Sequence, residues 1–363
     1  MKIGFHSLMP PMSTGVADYS AALYRELRRL GDVQLDPRKA DVRLYHLGNN
    51  QLHREIYQQA LREPGVIVLH DAVLHHFFLG SLNEQQYVDE FVYNYGAWHA
   101  DFARQLWRSR AHSATDPRYF EYPMLKRIAE RSRAVIVHNP GAAALVAEHA
   151  PEATVYEIPH LFVRPPLPPG YEVERLRAHL GLSGTTFLFG VFGHLRESKR
   201  LLAILRAFEA LRRTADVALL VAGEFASSDL ERSVRASRPG VLRIGYLPNA
   251  EFWLYASAED ACINLRYPAA GESSGIAIRL MGIGKPVLLS NALEVSRFPE
   301  CACVRIDIGA AEEDMLRTSM CWLAGAPSDA RAIGSRAAEH IAQRHAIGVT
   351  AEAYWRALSN SKV

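Results

Sequence analysis

The segment VRPPLPPG, Val163 to Gly170, packs four prolines and a glycine into eight residues. Proline fixes φ and has no amide to donate, so neither a helix nor an interior strand runs through such a stretch. It reads as a linker, 164–170, with a separate domain on either side. Before it, apolar runs at Lys2–Leu8, Val42–Leu47, Val66–His70, Ala134–His138 and Val155–Pro159 alternate with helical patterns at Val16–Leu30, Leu52–Leu61, Gln85–Arg108 and Pro123–Arg133. After it the alternation restarts, with strands expected at Phe187–Phe192, Ala218–Ala222, Leu242–Tyr246, Ala261–Leu265, Pro286–Ser290 and Val304–Ile308. Strand–helix alternation implies parallel sheets covered by helices on both faces. The expected architecture is α/β: two Rossmann-like parallel-sheet domains, 1–163 and 171–335, facing a central cleft, with a helical tail at 336–363 that packs back on the first domain.

Composition agrees. At about 150 residues per domain, 363 residues suggest two domains, and 49% hydrophobic residues suffice for two cores. With 41 basic and 39 acidic side chains the formal charge is +2, which excludes nucleic-acid binding driven by overall charge. No apolar run approaches the 18 or so residues of a membrane span, and MKIGFHSLMPPMS has no signal-peptide core. The four cysteines (Cys262, Cys301, Cys303, Cys321) are too few for a disulfide framework and lack zinc spacing. A cytoplasmic protein is expected, with no metal.

The two best-known phosphate loops are missing. The first strand runs into MPPMSTG instead of G-x-G-x-x-G, and Gly284-Lys285 is followed by Pro286 where a Walker loop needs Ser or Thr. Three other segments carry chemistry. Gly15 lies between the first strand and the first helix, where backbone approaches a ligand freely or simply turns. In FGVFGHLRESKR a strand passes through Gly193 into a cationic helix start. Arg196 and Lys199, three apart, share a face and oppose the helix dipole, which suits an anion held between them, or they are two solvated surface charges. In YPAAGESSGIAIRLMGIGKPVLLSN, Ser273, Ser274 and Gly275 open a helix with unhindered amides, an anion seat. Glu272 just before them suits a ligand with hydroxyls to donate, or a helix cap.

In this order the segments resemble the retaining glycosyltransferases of family 4, which have the GT-B fold. The resemblance runs over essentially the whole chain, through Gly15, VLHDAVLHHF (Val68–Phe77), IPHL (Ile158–Leu161), FGHLRESK (Phe192–Lys199) and GESSGIAIRLMGIGKPVLLSN. It implies transfer of a sugar from a nucleotide-diphosphate sugar to a glycan or lipid-linked acceptor, with retention at the anomeric carbon and no cofactor. It also makes the first domain the acceptor side and the second the donor side. By resemblance, Arg196 and Lys199 match the basic pair on the donor diphosphate, and Glu272 matches the first glutamate of the E-x7-E motif that binds sugar hydroxyls. The backbone of Ser273, Ser274 and Gly275 would hold phosphate, Gly15 and Gly193 would lie along the donor, and His70 matches the histidine near the transferring sugar. The chain departs from the pattern at Leu280, where the second glutamate normally holds the ribose. A leucine accepts no hydrogen bond.

Two other classes remain open. GESSG also fits G-x-S-x-G, the nucleophile elbow of α/β-hydrolases, with Ser273 followed by Asp307 and His340 or His345 in the required order. A non-catalytic nucleotide-sugar-binding protein would accommodate Leu280. His70, Asp71, His75 and His76 lie among apolar residues and are not expected to hold a metal. Finally, Phe102 to Arg133 holds eight basic residues against three acidic, interspersed with Trp107, Tyr119, Phe120 and Tyr122. Such a stretch suits peripheral contact with an anionic membrane at the inner face, or a solvated helix with its aromatics packed inward.

Overall fold

A computed structural model describes residues 1–12, 14–235 and 239–361. The chain divides into two compact units. One comprises Met1–Val163, Pro268–Ser273 and Arg344–Val363; the other comprises Arg164–Tyr267 and Ser274–Gln343.

The first unit is built on six parallel strands: β1 (Lys2–His6), β2 (Asp32–Leu35), β3 (Val42–Leu47), β4 (Val66–Leu69), β5 (Ala134–Val137) and β6 (Val155–Glu157). Their order is β2-β1-β3-β4-β5-β6. The inner strands read as unbroken apolar runs because both faces are covered. On one face Ile3, Phe5, Leu44 and Val68 meet the helices Gly15–Leu30 and Ile347–Asn360. On the other, Tyr45, Ile67 and Val135 meet a larger cluster with Tyr87, Phe91 and Tyr119. The strand Asp32–Leu35 departs from the sequence expectation: it is an edge strand in which only Val33 is buried, so it has no apolar run to read. The helix expected over Gln85–Arg108 is broken. Gly96, with φ +90, ends the helix Glu84–Tyr95, and a short 3₁₀ turn leads into a second helix, Ala100–Ser109.

The second unit repeats the plan with β7 (Phe187–Phe192), β8 (Val217–Ala222), β9 (Val241–Ile244), β10 (Ala261–Asn264), β11 (Val287–Ser290) and β12 (Val304–Ile306). These run parallel in the order β12-β11-β10-β7-β8-β9, the doubly wound Rossmann arrangement. Each sheet has a switch point where successive connections leave in opposite directions: beside β1 and β3 in the first unit, beside β7 and β10 in the second. Open parallel sheets bind ligands beyond the strand ends at such points.

The tail helix Ile347–Asn360 completes the first unit's core. Tyr354, Ala351 and Leu358 are fully buried beside Tyr19 and Leu27, and the hydroxyls of Tyr19 and Tyr354 bond at 2.9 Å. Removing either hydroxyl leaves the other buried without a partner. Tyr354→Phe should therefore destabilise by about 1–3 kcal/mol, and Leu358→Ala by about 2–5 kcal/mol. Urea unfolding measures both; values near zero would mean that the tail is not part of this core.

Candidate functional site

In the first unit, histidines gather where the strands end. His46 lies inside β3, His70 and His138 directly follow β4 and β5, and His160 follows β6. The edge of the Tyr19 ring meets His70 and His160, each with centroids 4.8 Å apart. His53 Nδ1 donates to the His46 carbonyl at 3.1 Å, and His138 Nδ1 to that of Ile158 at 2.9 Å. His46 Nδ1 and His70 Nε2 lie 3.0 Å apart, while His46 Nε2 is buried without a partner. A buried unmet N–H is rarer than an unmet lone pair. The network therefore assigns the His46 proton to Nδ1, donating to His70 Nε2, and leaves the His70 proton on Nδ1. His70 itself is partly exposed.

Burial holds these rings neutral. It lowers His53 and His138 to about 4, and takes His46 and His70 well below the ordinary 6.5, with the neighbouring histidines adding to the effect. Among the described residues no group of His, Cys, Asp and Glu is arranged to hold a metal ion.

Gly15 begins its helix, with Thr14 as the N-cap accepting from the Ala17 amide at 3.1 Å. A Cβ at Gly15 would meet no described atom within 4 Å, so crowding by the chain does not require a glycine there.

The segment Pro268–Ser273 is clustered with this first unit. The amides of Ala72 and Val73, just past His70, donate to the Ala270 carbonyl at 2.9 and 3.0 Å. Glu272 is partly exposed, and its Oε2 accepts from the Ala270 amide at 2.7 Å. Asn139, which sequence reasoning missed, donates from Nδ2 to the Gly271 carbonyl and to Ser273 Oγ, both at 3.0 Å. The Ser273 hydroxyl thus bonds an amide side chain, and His345 Nδ1 donates to the His160 carbonyl at 2.6 Å. β10 ends at Asn264, well before the GESSG segment, whereas a nucleophile elbow turns directly out of its strand.

In the second unit, Gly193 follows β7 with φ +95. A Cβ there would approach Ile276 Cγ1 to 3.4 Å, so the turn lies against the start of the helix Gly275–Gly282. The Tyr267 amide donates to the Ser198 carbonyl at 2.8 Å, bringing the loops after β10 and β7 together. Arg196 is exposed in extended backbone before a 3₁₀ turn, Glu197–Lys199, and the α-helix starts only at Leu201. The two cations are unequal. The Lys199 chain is buried with Nζ donating to the Phe192 carbonyl at 2.8 Å, whereas Arg196 carries its charge into solvent.

Ser274 caps the helix Gly275–Gly282, with Oγ accepting from the Ala277 amide at 3.2 Å. Arg266 Nη2 reaches the same hydroxyl at 3.3 Å. Sequence reasoning missed this second arginine, although a cation between a strand end and a glycine-rich loop was a signal to use. A guanidinium at a helix N-terminus opposes the dipole. Leu280 is fully buried in that helix and offers no polar group.

The aromatics of Phe102–Arg133 face inward: Tyr119 is fully buried, and Trp107, Phe120 and Tyr122 pack against the core. Arg118 and Arg127 pair with Asp116 and Glu90, and Arg110 stacks over Trp107. What this stretch presents outward is charge. Among the described residues no helix is long and apolar enough to cross a membrane.

No family model and no curated protein matches the chain. Solved structures do match in fold. A sucrose-phosphate synthase from Thermosynechococcus elongatus superposes with a TM-score of 0.71 at 16% identity, covering 100% of both chains. Anabaena Alr3699/HepE, solved with UDP-glucose, gives 0.63 at 16% identity over 99% of this chain and 100% of that one. WaaG, a glycosyltransferase involved in lipopolysaccharide biosynthesis, gives 0.61 at 12% identity over 98% and 99%. The chain has the GT-B fold, with two Rossmann-like parallel-sheet domains.

The neutral histidines have a measurable consequence. A histidine whose pKa falls on folding binds fewer protons folded than unfolded, so its stabilisation is complete above about 6.5 and is lost as pH falls toward about 4. Glu259 and Glu90, both raised by burial, act in the opposite sense, two groups against several. Urea unfolding should show stability declining from pH 7.5 to pH 5. The decline should be shallower in His138→Asn, whose amide keeps the bond to the Ile158 carbonyl. Equal slopes would refute the assignment.

Proposed function

We propose that this chain is a retaining, metal-independent glycosyltransferase. It moves a hexose or deoxyhexose from a nucleotide-diphosphate sugar to a glycan or lipid-linked acceptor, in the assembly of surface polysaccharide or lipopolysaccharide. The observation that carries the reading is the juxtaposition at the β7/β10 switch point, where the Gly193 turn lies against the N-terminus of Gly275–Gly282, with Arg266 beside Ser274. Exposed Arg196 follows the same turn. The structural neighbours solved with UDP and UDP-glucose support a nucleotide-sugar donor.

In the proposed reaction the bond between the anomeric carbon and the diphosphate oxygen breaks, and its electron pair stays on the diphosphate. Arg196, Lys199 and the amides at Ser274 and Gly275 stabilise that charge. The acceptor hydroxyl forms the new bond on the face that the diphosphate leaves, and its proton passes to a departing phosphate oxygen. Products are the glycoside and the nucleoside diphosphate. Glu272 holds donor sugar hydroxyls, and neutral His70, its proton on Nδ1, positions the sugar without acting as nucleophile. Gly15 lets backbone approach the donor. Buried Leu280 favours ribose recognition by groups other than a glutamate on this helix.

Loss of one fixed donor to a developing anion costs about 3 kcal/mol, or 100- to 1000-fold in rate. Arg196→Ala should lower kcat/KM by that factor with Tm unchanged. A thermal-shift panel of GDP-, UDP- and dTDP-sugars on wild type, Arg196→Ala and Glu272→Ala comes first. If none of them stabilises the wild type, the reading fails; binding without transfer or donor hydrolysis would indicate a sensor. Loss of activity in Ser273→Ala but not in Arg196→Ala would restore the hydrolase.

The same reading places the protein in the cytoplasm, with peripheral contact made by the outward charges of Phe102–Arg133. Anionic vesicles should bind it at low salt and release it near about 0.5 M, where screening is nearly complete. Equal binding to neutral vesicles would rule out the electrostatic contact.

A further inference from the structure

We infer that Asn139 is a positioning residue for the donor sugar: its buried amide latches the loop that presents Glu272. The inference rests on the proposed role of Glu272.

Asn139 directly follows His138 at the end of β5 and is 3% exposed. Its carboxamide is divided between two tasks. Oδ1 caps the helix Pro140–His149 by accepting from the Ala142 amide at 2.8 Å. Nδ2 reaches across 132 residues of sequence to the Gly271 carbonyl at 3.0 Å and across 134 to Ser273 Oγ at 3.0 Å. Glu272 lies between these two anchors. The loop is fixed on its other side by the Ala72 and Val73 amides on the Ala270 carbonyl. Gly271 holds φ +69, and a Cβ there would come within 2.7 Å of Ala72 Cβ, so the loop lies tightly on the segment that follows His70.

Glu272 has little freedom in this arrangement. Its backbone is pinned before and after, and one carboxylate oxygen turns back to the Ala270 amide at 2.7 Å. The loop therefore presents a carboxylate of fixed orientation, as recognition of hydroxyls at defined positions requires. Asn139 contacts no sugar in this scheme; it acts through Glu272. The amide performs both tasks, whereas an aspartate keeps the cap acceptor but has no donor for the loop.

The test uses the full chain and Asn139→Asp, which retains the cap and loses the latch, with Glu272→Ala as reference. Without ligand, hydrogen exchange at the Ala72, Val73 and Ala270 amides should quicken at least tenfold in Asn139→Asp and stay unchanged near Gly193. Calorimetry then compares UDP, GDP and dTDP with UDP-glucose, GDP-mannose and dTDP-rhamnose. For the pair that the wild type binds, Asn139→Asp should hold the free nucleotide within about twofold. It should lose about tenfold for the sugar nucleotide, as Glu272→Ala should. Unchanged exchange overturns the latch. Quickened exchange with an unchanged ratio of sugar nucleotide to nucleotide overturns its link to the donor sugar, as does equal weakening of both ligands. If the wild type binds none of the six, the glycosyltransferase reading fails and Asn139 has no donor sugar to position. The exchange result would then still decide whether the loop is latched.

Discussion

A parallel strand covered on both faces has no side open to water, so a polar side chain within it needs a partner and most polar groups gather beyond its C-terminal end. The constraint decides where chemistry can occur in both units, and buried Asn264 at the end of β10, neither of whose amide atoms is hydrogen-bonded, is the place where it is broken. β7 contributes only Phe, Leu, Gly and Val until Phe192. Polar function starts with the next residue, in the turn through Gly193 to Lys199. β4 is Val-Ile-Val-Leu, and His70 and Asp71 come immediately after. His46 is one of the buried polar residues within strands, with His6, Asn264 and Ser290: it sits inside β3, and its neutrality and its bond to His70 keep it there.

Few of the atoms that organise the candidate site belong to groups with chemistry of their own. The carbonyl of Ala270 receives two amides, and the carbonyl of Phe192 receives an ammonium. Main-chain groups of this kind must be satisfied wherever they are buried, so they serve as fixed points to which reactive side chains are tied. The arrangement also distinguishes the two cations after Gly193. Lys199 is tied to the strand end and lends shape as well as charge, whereas Arg196 offers its charge outward.

Much of the plan was legible in the sequence. Five strands of the first unit and all six of the second announce themselves as short apolar runs, and the glycine turns mark the ends that matter. Asp32–Leu35 escaped because an edge strand with one buried residue has no hydrophobic signature. The break at Gly96 escaped because helical periodicity continues across it. Asn139 and Arg266 escaped for another reason: their roles depend on what they touch, and Asn139 finds its partner more than 130 residues away. The histidines were visible one at a time, but not as a cluster, since only the strand order places the ends of β3, β4 and β5 side by side.

The tail helix has a consequence for how the protein is made. Its Tyr354 and Leu358 belong to the same core as Ile3 and Phe5. During synthesis the first sheet therefore emerges with that face covered by only one of its two helices, Gly15–Leu30, and remains so while the whole second unit is added. Domains generally fold as units as they leave the ribosome. Here the second unit, whose buried residues run to Ile341, is synthesised before the first unit has received its last helix. The half that begins the chain is the half that finishes last, and the part of its apolar face that Ile347–Asn360 covers stays open in the interval.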